Sequence, residues 1–519
     1  NYMTIDKFIK QKLLYFKNLL LHNRFKSINI FLLLYIYYYR NLLNKRNLID
    51  LLLKLPYIGK YIHNEIKKNT LMIQNDINND MTYQTVFPEY SHTLDEIYQK
   101  INSATHTHDN DKISGIVYYN DPIYNSDLLK LYSDYCQQNP LHPNIFPQIR
   151  QMEIETINMM SKLYGGGDEC CGNITYGGTE SILLACYTYR EWGRMKRGIH
   201  NPNIVAPESI HPAFDKACYY FGIKLKKIPL NKEYTITSLD VSKYINSNTI
   251  MIAASAPNYA HGIIDPIRDI GKVCYQYNVG FHVDCCMGGF IVPFINSPET
   301  NQVNFMTQGI TSISMDSHKY GYCHKGSSIL LMKNRELKQF QHYINTDWNG
   351  GIYCTPTLMG SKSGGLISTV WGALHLNGRE KYVQYTSDII ENLVMIKNSF
   401  QHNNLIEIIG NPLLNIIAFK SNALNIYYVI DEMKKKRWDL SVLQNPPAFH
   451  LCITKCHTKE VTEKFISDLE SSISIAKNNP SKLSGTLSLY GSSQSIENSL
   501  FTGDLVNNFV TLLSKEKVF

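Results

Sequence analysis

Short apolar runs alternate with amphipathic stretches through the middle of the chain, and this alternation is its strongest organising signal. The runs at 203–206, 249–257 (TIMIAASAP), 279–284 (VGFHVD), 309–315 (GITSISM) and 327–332 (SSILLM) read as buried strands. Between them, 179–197 carries Ile182, Cys186, Tyr189 and Gly193 on one helical face, and 267–277 has the same helical period. Strands that alternate with helices predict an α/β fold, with a mainly parallel sheet covered on both faces. Such sheets hold their ligands at the carboxyl ends of the strands. Asp284 ends one predicted strand, and the triplet Ser317-His318-Lys319 follows another.

The flanking segments have a different texture. Leucine and lysine interleave up to about residue 70, and the polar stretch 75–85 (NDINNDMTYQT) reads as a linker. The expected division is 1–110 for an N-terminal helical segment and linker, 111–375 for a large ligand-binding domain, and 376–519 for a smaller C-terminal α/β domain. The run 28–39 (INIFLLLYIYYY) has basic flanks at Arg24, Lys26, Arg40, Lys45 and Arg46. It is shorter than the roughly 20 apolar residues of a full span and lacks a small-residue cleavage site. It therefore reads either as a short or interfacial membrane anchor or as a plain hydrophobic helix.

Composition narrows the picture further. Of 519 residues, 44% are hydrophobic and 18% charged, values ordinary for a globular protein. The net charge of +7 comes without an arginine-rich stripe, so no nucleic-acid partner is expected. The mild basic excess before residue 70 suits an anionic membrane surface. The twelve cysteines, including the adjacent pairs Cys170-Cys171 and Cys285-Cys286, have no framework spacing and read as reduced thiols facing the cytosol. Cys452, Cys456 and His457 have no second ligand pair at suitable spacing, so no metal is expected.

The candidate chemistry lies in one region. In TYGGTES (175–181), two glycines and Thr179 precede a helix, an arrangement whose free N–H groups attract a phosphate. Asp284 at a buried strand end needs a cationic or donor partner. Lys319 could attack a carbonyl, and His211 in SIHPAF could cover a flat ring. Each has an ordinary explanation alone: a turn and cap, a capping aspartate, a surface lysine, a solvent-facing histidine. Together they supply what pyridoxal 5'-phosphate requires: donors for a phosphate, a ring face, an acid for the pyridine nitrogen and an amine for the aldehyde.

The motifs SGIVYY, NPLHPNIFP, YGGTESILLA, APNYAHGIIDP, HVDCCMGGF, SISMDSHKYGYCHKGSS, NTDWNGGIY, GNPLLNIIAF and NPPAFHLCIT resemble the sphingosine-1-phosphate lyase family of fold-type-I pyridoxal-phosphate enzymes, over about residues 50–495. LPYIGK (55–60) is similar to the family's segment between anchor and catalytic part. The resemblance implies that Lys319 holds the cofactor covalently, Asp284 pairs with its ring nitrogen and His211 stacks on the ring. Gly178, Thr179 and His318 match positions near the cofactor phosphate. Tyr118, Asn139, His142 and Lys325 match the region that grips a substrate phosphate, and Tyr353 matches a tyrosine that reaches the active site across a dimer interface. The implied catalytic residues are Lys319, Tyr353 and Lys325, acting in a homodimer with shared sites. The implied reaction is retro-aldol cleavage of a phosphorylated sphingoid base to a long-chain fatty aldehyde and phosphoethanolamine. The implied location is membrane-associated, endoplasmic-reticulum-like with the catalytic part facing the cytosol, or cytoplasmic if 28–39 does not span.

Three positions depart from the family pattern: Tyr176 where a small residue is usual, Cys285 after Asp284, and His324 where proline is common. An inward Tyr176 would crowd the phosphate loop. Two other readings share part of the pattern. An amino-acid decarboxylase of the same fold would need Thr179, His211, Asp284 and Lys319 but not Tyr118, His142 and Lys325. A catalytically silent, membrane-associated binding protein would need none of them to be functional.

Overall fold

A computed structural model of the chain describes residues 87–102 and 109–478, with isolated positions at 64, 67, 71, 507, 510 and 511. The apolar run 28–39 and LPYIGK lie outside the described residues. Among the described residues, no helix is long and apolar enough to cross a membrane. Residues His106–Lys482 form one compact unit, and the helix Leu94–Asn102 lies outside it.

The unit is organised by a seven-stranded sheet in the order β1-β7-β6-β5-β4-β2-β3. Its strands are β1 (Cys171–Thr175), β2 (Asn203–Pro207), β3 (Lys224–Ile228), β4 (Thr249–Ser255), β5 (Gly280–Asp284), β6 (Ser312–Met315) and β7 (Ser328–Met332). β2 to β6 pair in parallel, and only β7 runs against its neighbours. Every residue of β2, β4, β5, β6 and β7 is buried. This is the signature of a sheet covered on both faces, where a run need not alternate.

The longer helices of this unit are α1 (Pro122–Tyr135), α2 (Pro147–Leu163), α3 (Gly177–Arg197), α4 (Ala213–Phe221), α5 (Ser238–Tyr244), α6 (Ile267–Gln276), α7 (Gly364–Phe400), α8 (Ile426–Lys435) and α9 (Lys459–Asn478). α3 buries Ile182, Cys186, Tyr189 and Gly193, the face read from the sequence, and ends at the left-handed Gly198 (φ 63°). α7 packs on α1 and α2 and breaks at Gly378, whose φ of 55° is non-helical. The boundary expected at 375/376 falls inside this helix, just before the break.

A second, antiparallel sheet follows, in the order β10 (Glu407–Ile408), β11 (Ile416–Lys420), β13 (Pro447–Cys452), β12 (Ser441–Gln444). Between α8 and α9, Trp438 is buried edge-on to Phe465, and its indole N–H donates to Asp468 at 3.0 Å. All twelve cysteines are free, and no group of three His, Cys, Asp or Glu side chains among the described residues is placed to hold a metal.

Candidate active site

The carboxyl ends of β4, β5 and β6 and the start of α3 enclose a cavity of about 250 Å³. Gly178, Thr179, His211, Asp284, His318 and Lys319, drawn from four separate stretches of sequence, all line it. The sequence had proposed them independently, and the parallel sheet brings them together because its strand ends share one edge.

The α3 end of the cavity is a bare helix N-terminus. Gly177 has φ +80°, a conformation that L side chains rarely adopt, and a Cβ on Gly178 would lie 2.6 Å and 2.8 Å from the Asp316 oxygens. Tyr176 does not crowd this end: its hydroxyl accepts a hydrogen bond from the Ser363 N–H at 2.8 Å, which anchors the side chain at the cavity edge. His318 closes the same end. Its Nδ1 is bonded to the Ser327 carbonyl, so Nδ1 carries the proton, and Nε2 lies 3.9 Å from Asp316 Oδ2. Burial lowers the His318 pKa, with Asp316 opposing, so the ring is neutral in this arrangement.

Asp284, the last residue of β5, is 6% exposed. Its Oδ1 accepts from the Cys286 N–H at 3.0 Å and from the Ser314 hydroxyl at 3.4 Å. Lys319 follows β6, and its Nζ is 2.9 Å from Asp316 Oδ2. Burial alone would lower the Lys319 pKa, but Asp316, Cys286 and Tyr118 outweigh it, and the amine is held as an ammonium above its usual range. His211 accepts the Ala213 N–H on Nδ1 at 3.1 Å, which leaves Nε2 with the proton when the ring is neutral.

Tyr118 and Lys325 form a second group beside Lys319. The Lys325 amine sits 4.6 Å from the centre of the Tyr118 ring and donates to the Ile116 carbonyl. Ile116 holds φ +60°, rare for a β-branched residue, so local backbone strain accompanies this contact. Burial of the amine and the nearby Lys319 charge lower the Lys325 pKa.

Besides Tyr118 and Lys325, three further proposed residues do not line the cavity of their own chain. Asn139 bonds Ser361 at 3.1 Å, His142 is exposed in the loop between α1 and α2, and Tyr353 is 39% exposed at the start of β9 (Tyr353–Thr355). β9 forms a hairpin with β8 (Tyr343–Asn345), which carries exposed Ile344, Trp348 and Ile352 around its turn.

Among the cavity residues not proposed from sequence are Asp316 and Ser255. Asp316 was visible in the quoted SISMDSHK but not singled out, although its i,i+3 spacing to Lys319 was the available signal. Ser255, at the end of β4, pairs with Asp284 across the sheet. Asp316 Oδ1 and Ser255 Oγ are buried without a hydrogen-bond partner. Orphaned polar atoms at a cavity wall, a free helix N-terminus and a carboxylate facing a lysine suit a compact polar ligand with a phosphate and a ring. The donor set therefore fits pyridoxal phosphate.

The comparisons agree with this reading. Residues 87–422 match the pyridoxal-dependent decarboxylase conserved domain, so the fold and the cavity define a pyridoxal-phosphate-dependent enzyme. Sphingosine-1-phosphate lyase 1 of Rattus norvegicus is 37% identical over 461 residues, covering 87% of this chain and 81% of that protein. Sphingosine-1-phosphate lyase of Dictyostelium discoideum is 39% identical over 404 residues, covering 77% and 76%. The solved sphingosine-1-phosphate lyase of Burkholderia pseudomallei superposes with a TM-score of 0.74 at 32% identity, covering 81% of this chain and 98% of that one. The chain belongs to the sphingosine-1-phosphate lyase family. Glutamate decarboxylase of Lactobacillus brevis, with a TM-score of 0.68 at 18% identity, shares the fold.

One prediction follows from the helix N-terminus. Gly178→Ala places a methyl against Asp316 and against Cys286 Sγ, 2.9 Å away. Overpacking of this size costs on the order of 1–3 kcal/mol. Affinity for pyridoxal phosphate, read by fluorescence titration, should fall about tenfold while the far-ultraviolet circular dichroism stays unchanged.

Proposed function

We propose that this chain cleaves the C2–C3 bond of a phosphorylated sphingoid base, releasing a long-chain fatty aldehyde and phosphoethanolamine. The observation that carries the reading is the Tyr118–Lys325 pair, a cation and a phenol set beside Lys319 where a second phosphate could be held. A decarboxylase acting on a small amino acid has no need of that pair.

In this reading Gly178, Thr179 and His318 would hold the cofactor phosphate, His211 one face of the ring, Asp284 the ring nitrogen and Lys319 the aldehyde carbon. Bound pyridoxal phosphate supplies an electron sink for the pair left on C2. Asp284, fixed by the Cys286 N–H and Ser314, keeps a proton on the ring nitrogen and so preserves that sink. Asp316 holds the Lys319 ammonium and can accept its proton when the amine must act as a nucleophile. Lys319 and Tyr353 are the chain's candidates for taking the C3 hydroxyl proton. Lys325 and Tyr118 would fix the substrate phosphate, using binding energy remote from the breaking bond to orient it.

The exposure of His142 and Tyr353 favours a homodimer in which each chain completes the other's site, with Asn139 supporting the loop that carries His142. Membrane association through 28–39, with the catalytic part on the cytosolic side, belongs to the same proposal, as does the division 1–110, 111–375 and 376–519.

The test offers purified chain, loaded with pyridoxal phosphate, sphingosine 1-phosphate and, separately, aromatic and acidic amino acids. Mass spectrometry should find long-chain aldehyde with the lipid. Carbon dioxide from an amino acid, without aldehyde from the lipid, would make it a decarboxylase. A preparation that stays colourless after the cofactor is added would make it a silent binding protein.

A further inference from the structure

The carboxylate of Asp284 is the end of a longer construction. Gly280, His282 and Asp284 share one face of β5, because strand side chains alternate. On the parallel neighbour β6, Ser312 pairs with His282 and Ser314 with Asp284, so the two serines face the same way. Tyr189 of α3 covers that face. Gly280 admits its ring, since a Cβ there would lie 2.2 Å from Tyr189 Cε1.

The polar atoms on this face join in one buried file. The Tyr189 hydroxyl is 2.7 Å from Ser312 Oγ, and Ser312 Oγ is 2.8 Å from His282 Nδ1. His282 Nε2 is 3.1 Å from Ser314 Oγ, and Ser314 donates to Asp284 Oδ1 at 3.4 Å, the longest link. At the far end the Tyr189 hydroxyl is 2.6 Å from the hydroxyl of half-buried Thr311. His282, Ser312 and Ser314 are fully buried, and none of them lines the cavity.

Proton counting gives the file a direction. Each hydroxyl has one proton to donate, and a neutral imidazole has one N–H. Ser314 spends its proton on Asp284, so it must accept from His282, and the His282 proton is then on Nε2. Nδ1 is left to accept from Ser312, which in turn accepts from Tyr189. Burial pushes the His282 pKa down to about 4, against the pull of Asp284, so the ring is neutral as this order requires. The other titratable groups that feel the Asp284 charge are Cys285 and Cys286, and the Cys286 thiol also lies 3.5 Å from Ser314 Oγ.

We propose that His282 is a positioning residue: it aims the Ser314 hydroxyl at Asp284, and the file running back to Tyr189 holds that carboxylate in its anionic form. The proposal rests on the reading of Asp284 as the partner of the cofactor ring nitrogen. A hydrogen bond donated to the charged form of a carboxylate favours that form, and the charge is what the ring nitrogen needs beside it. The file thus acts on the cofactor without touching it, from the opposite side of the carboxylate.

The experiment loads the full chain with pyridoxal phosphate carrying nitrogen-15 in the ring and records the ring-nitrogen resonance, which reports protonation directly. Cofactor affinity is measured alongside. Asp284→Ala should move the resonance to the unprotonated position. Ser314→Ala should move it partway and weaken binding about tenfold, the scale of a hydrogen bond to a charged group. Tyr189→Phe, which keeps every packing atom except the hydroxyl, should move it in the same direction with about a twofold loss. If Asp284→Ala leaves the resonance where it is in the unaltered chain, the reading of Asp284 itself fails. If Asp284→Ala moves it but either Ser314→Ala or Tyr189→Phe does not, the positioning file is overturned and the role of Asp284 stands.

Discussion

Replacing Lys319 with alanine should abolish covalent capture of pyridoxal phosphate and reduce turnover about ten-thousandfold or more, the scale seen when a covalent nucleophile is removed. The geometry gives two separate consequences. The first is chemical: the Lys319 amine is the one brought to the cavity wall beside Asp284 and His211. The second is electrostatic. Lys319 neutralises Asp316, whose other oxygen already lacks a partner. Its loss leaves a buried carboxylate unpaired, which costs stability as well as activity. Lys319→Arg separates the two, because a guanidinium can still face Asp316 but cannot take up the cofactor covalently. Lys319→Arg should therefore melt close to the unaltered protein and still show no covalent capture, whereas Lys319→Ala should melt lower.

Lys325→Ala should have the opposite profile. Lys325 is exposed overall, but its amine lies against Tyr118 and Ile116 and within the field of Lys319. It does not line the cavity proposed for the cofactor. Pyridoxal phosphate affinity should change by less than about twofold, while kcat/KM for the phosphorylated lipid should fall about a hundredfold, the scale for losing one partner of a partly buried charge pair. Because remote binding energy orients the reacting bond, kcat should fall along with a rise in KM. Unchanged turnover of the lipid by Lys325→Ala would remove the phosphate grip from the account.

Much of this site was legible because its residues carry their chemistry in short local patterns. The strands at β4, β5, β6 and β7 were visible as apolar runs, and the ends of β5 and β6 gave Asp284 and Lys319. β1 was not read, since CGNIT is five residues with a glycine and an asparagine, too short and mixed to stand out. The reversed direction of β7 was also hidden, because an apolar run has no polarity until it is paired.

The side chains missed are those whose role depends on register. His-x-Asp and Ser-x-Ser each show a period of two, but only the pairing of β5 with β6 sets His282 beside Ser312 and Asp284 beside Ser314. The exposure of His142 and Tyr353 was likewise invisible in the motifs NPLHP and GGIY, which name residues without showing how far each is buried.

The central claim is that one amine, that of Lys319, takes up the cofactor. Borohydride treatment of the protein saturated with pyridoxal phosphate, followed by proteolysis and peptide mapping, tests it most directly. The reduced pyridoxyl adduct should map to the peptide containing Ser317-His318-Lys319 and to Lys319 within it. An adduct on Lys325, Lys362 or any other lysine, or no adduct at all, would contradict it.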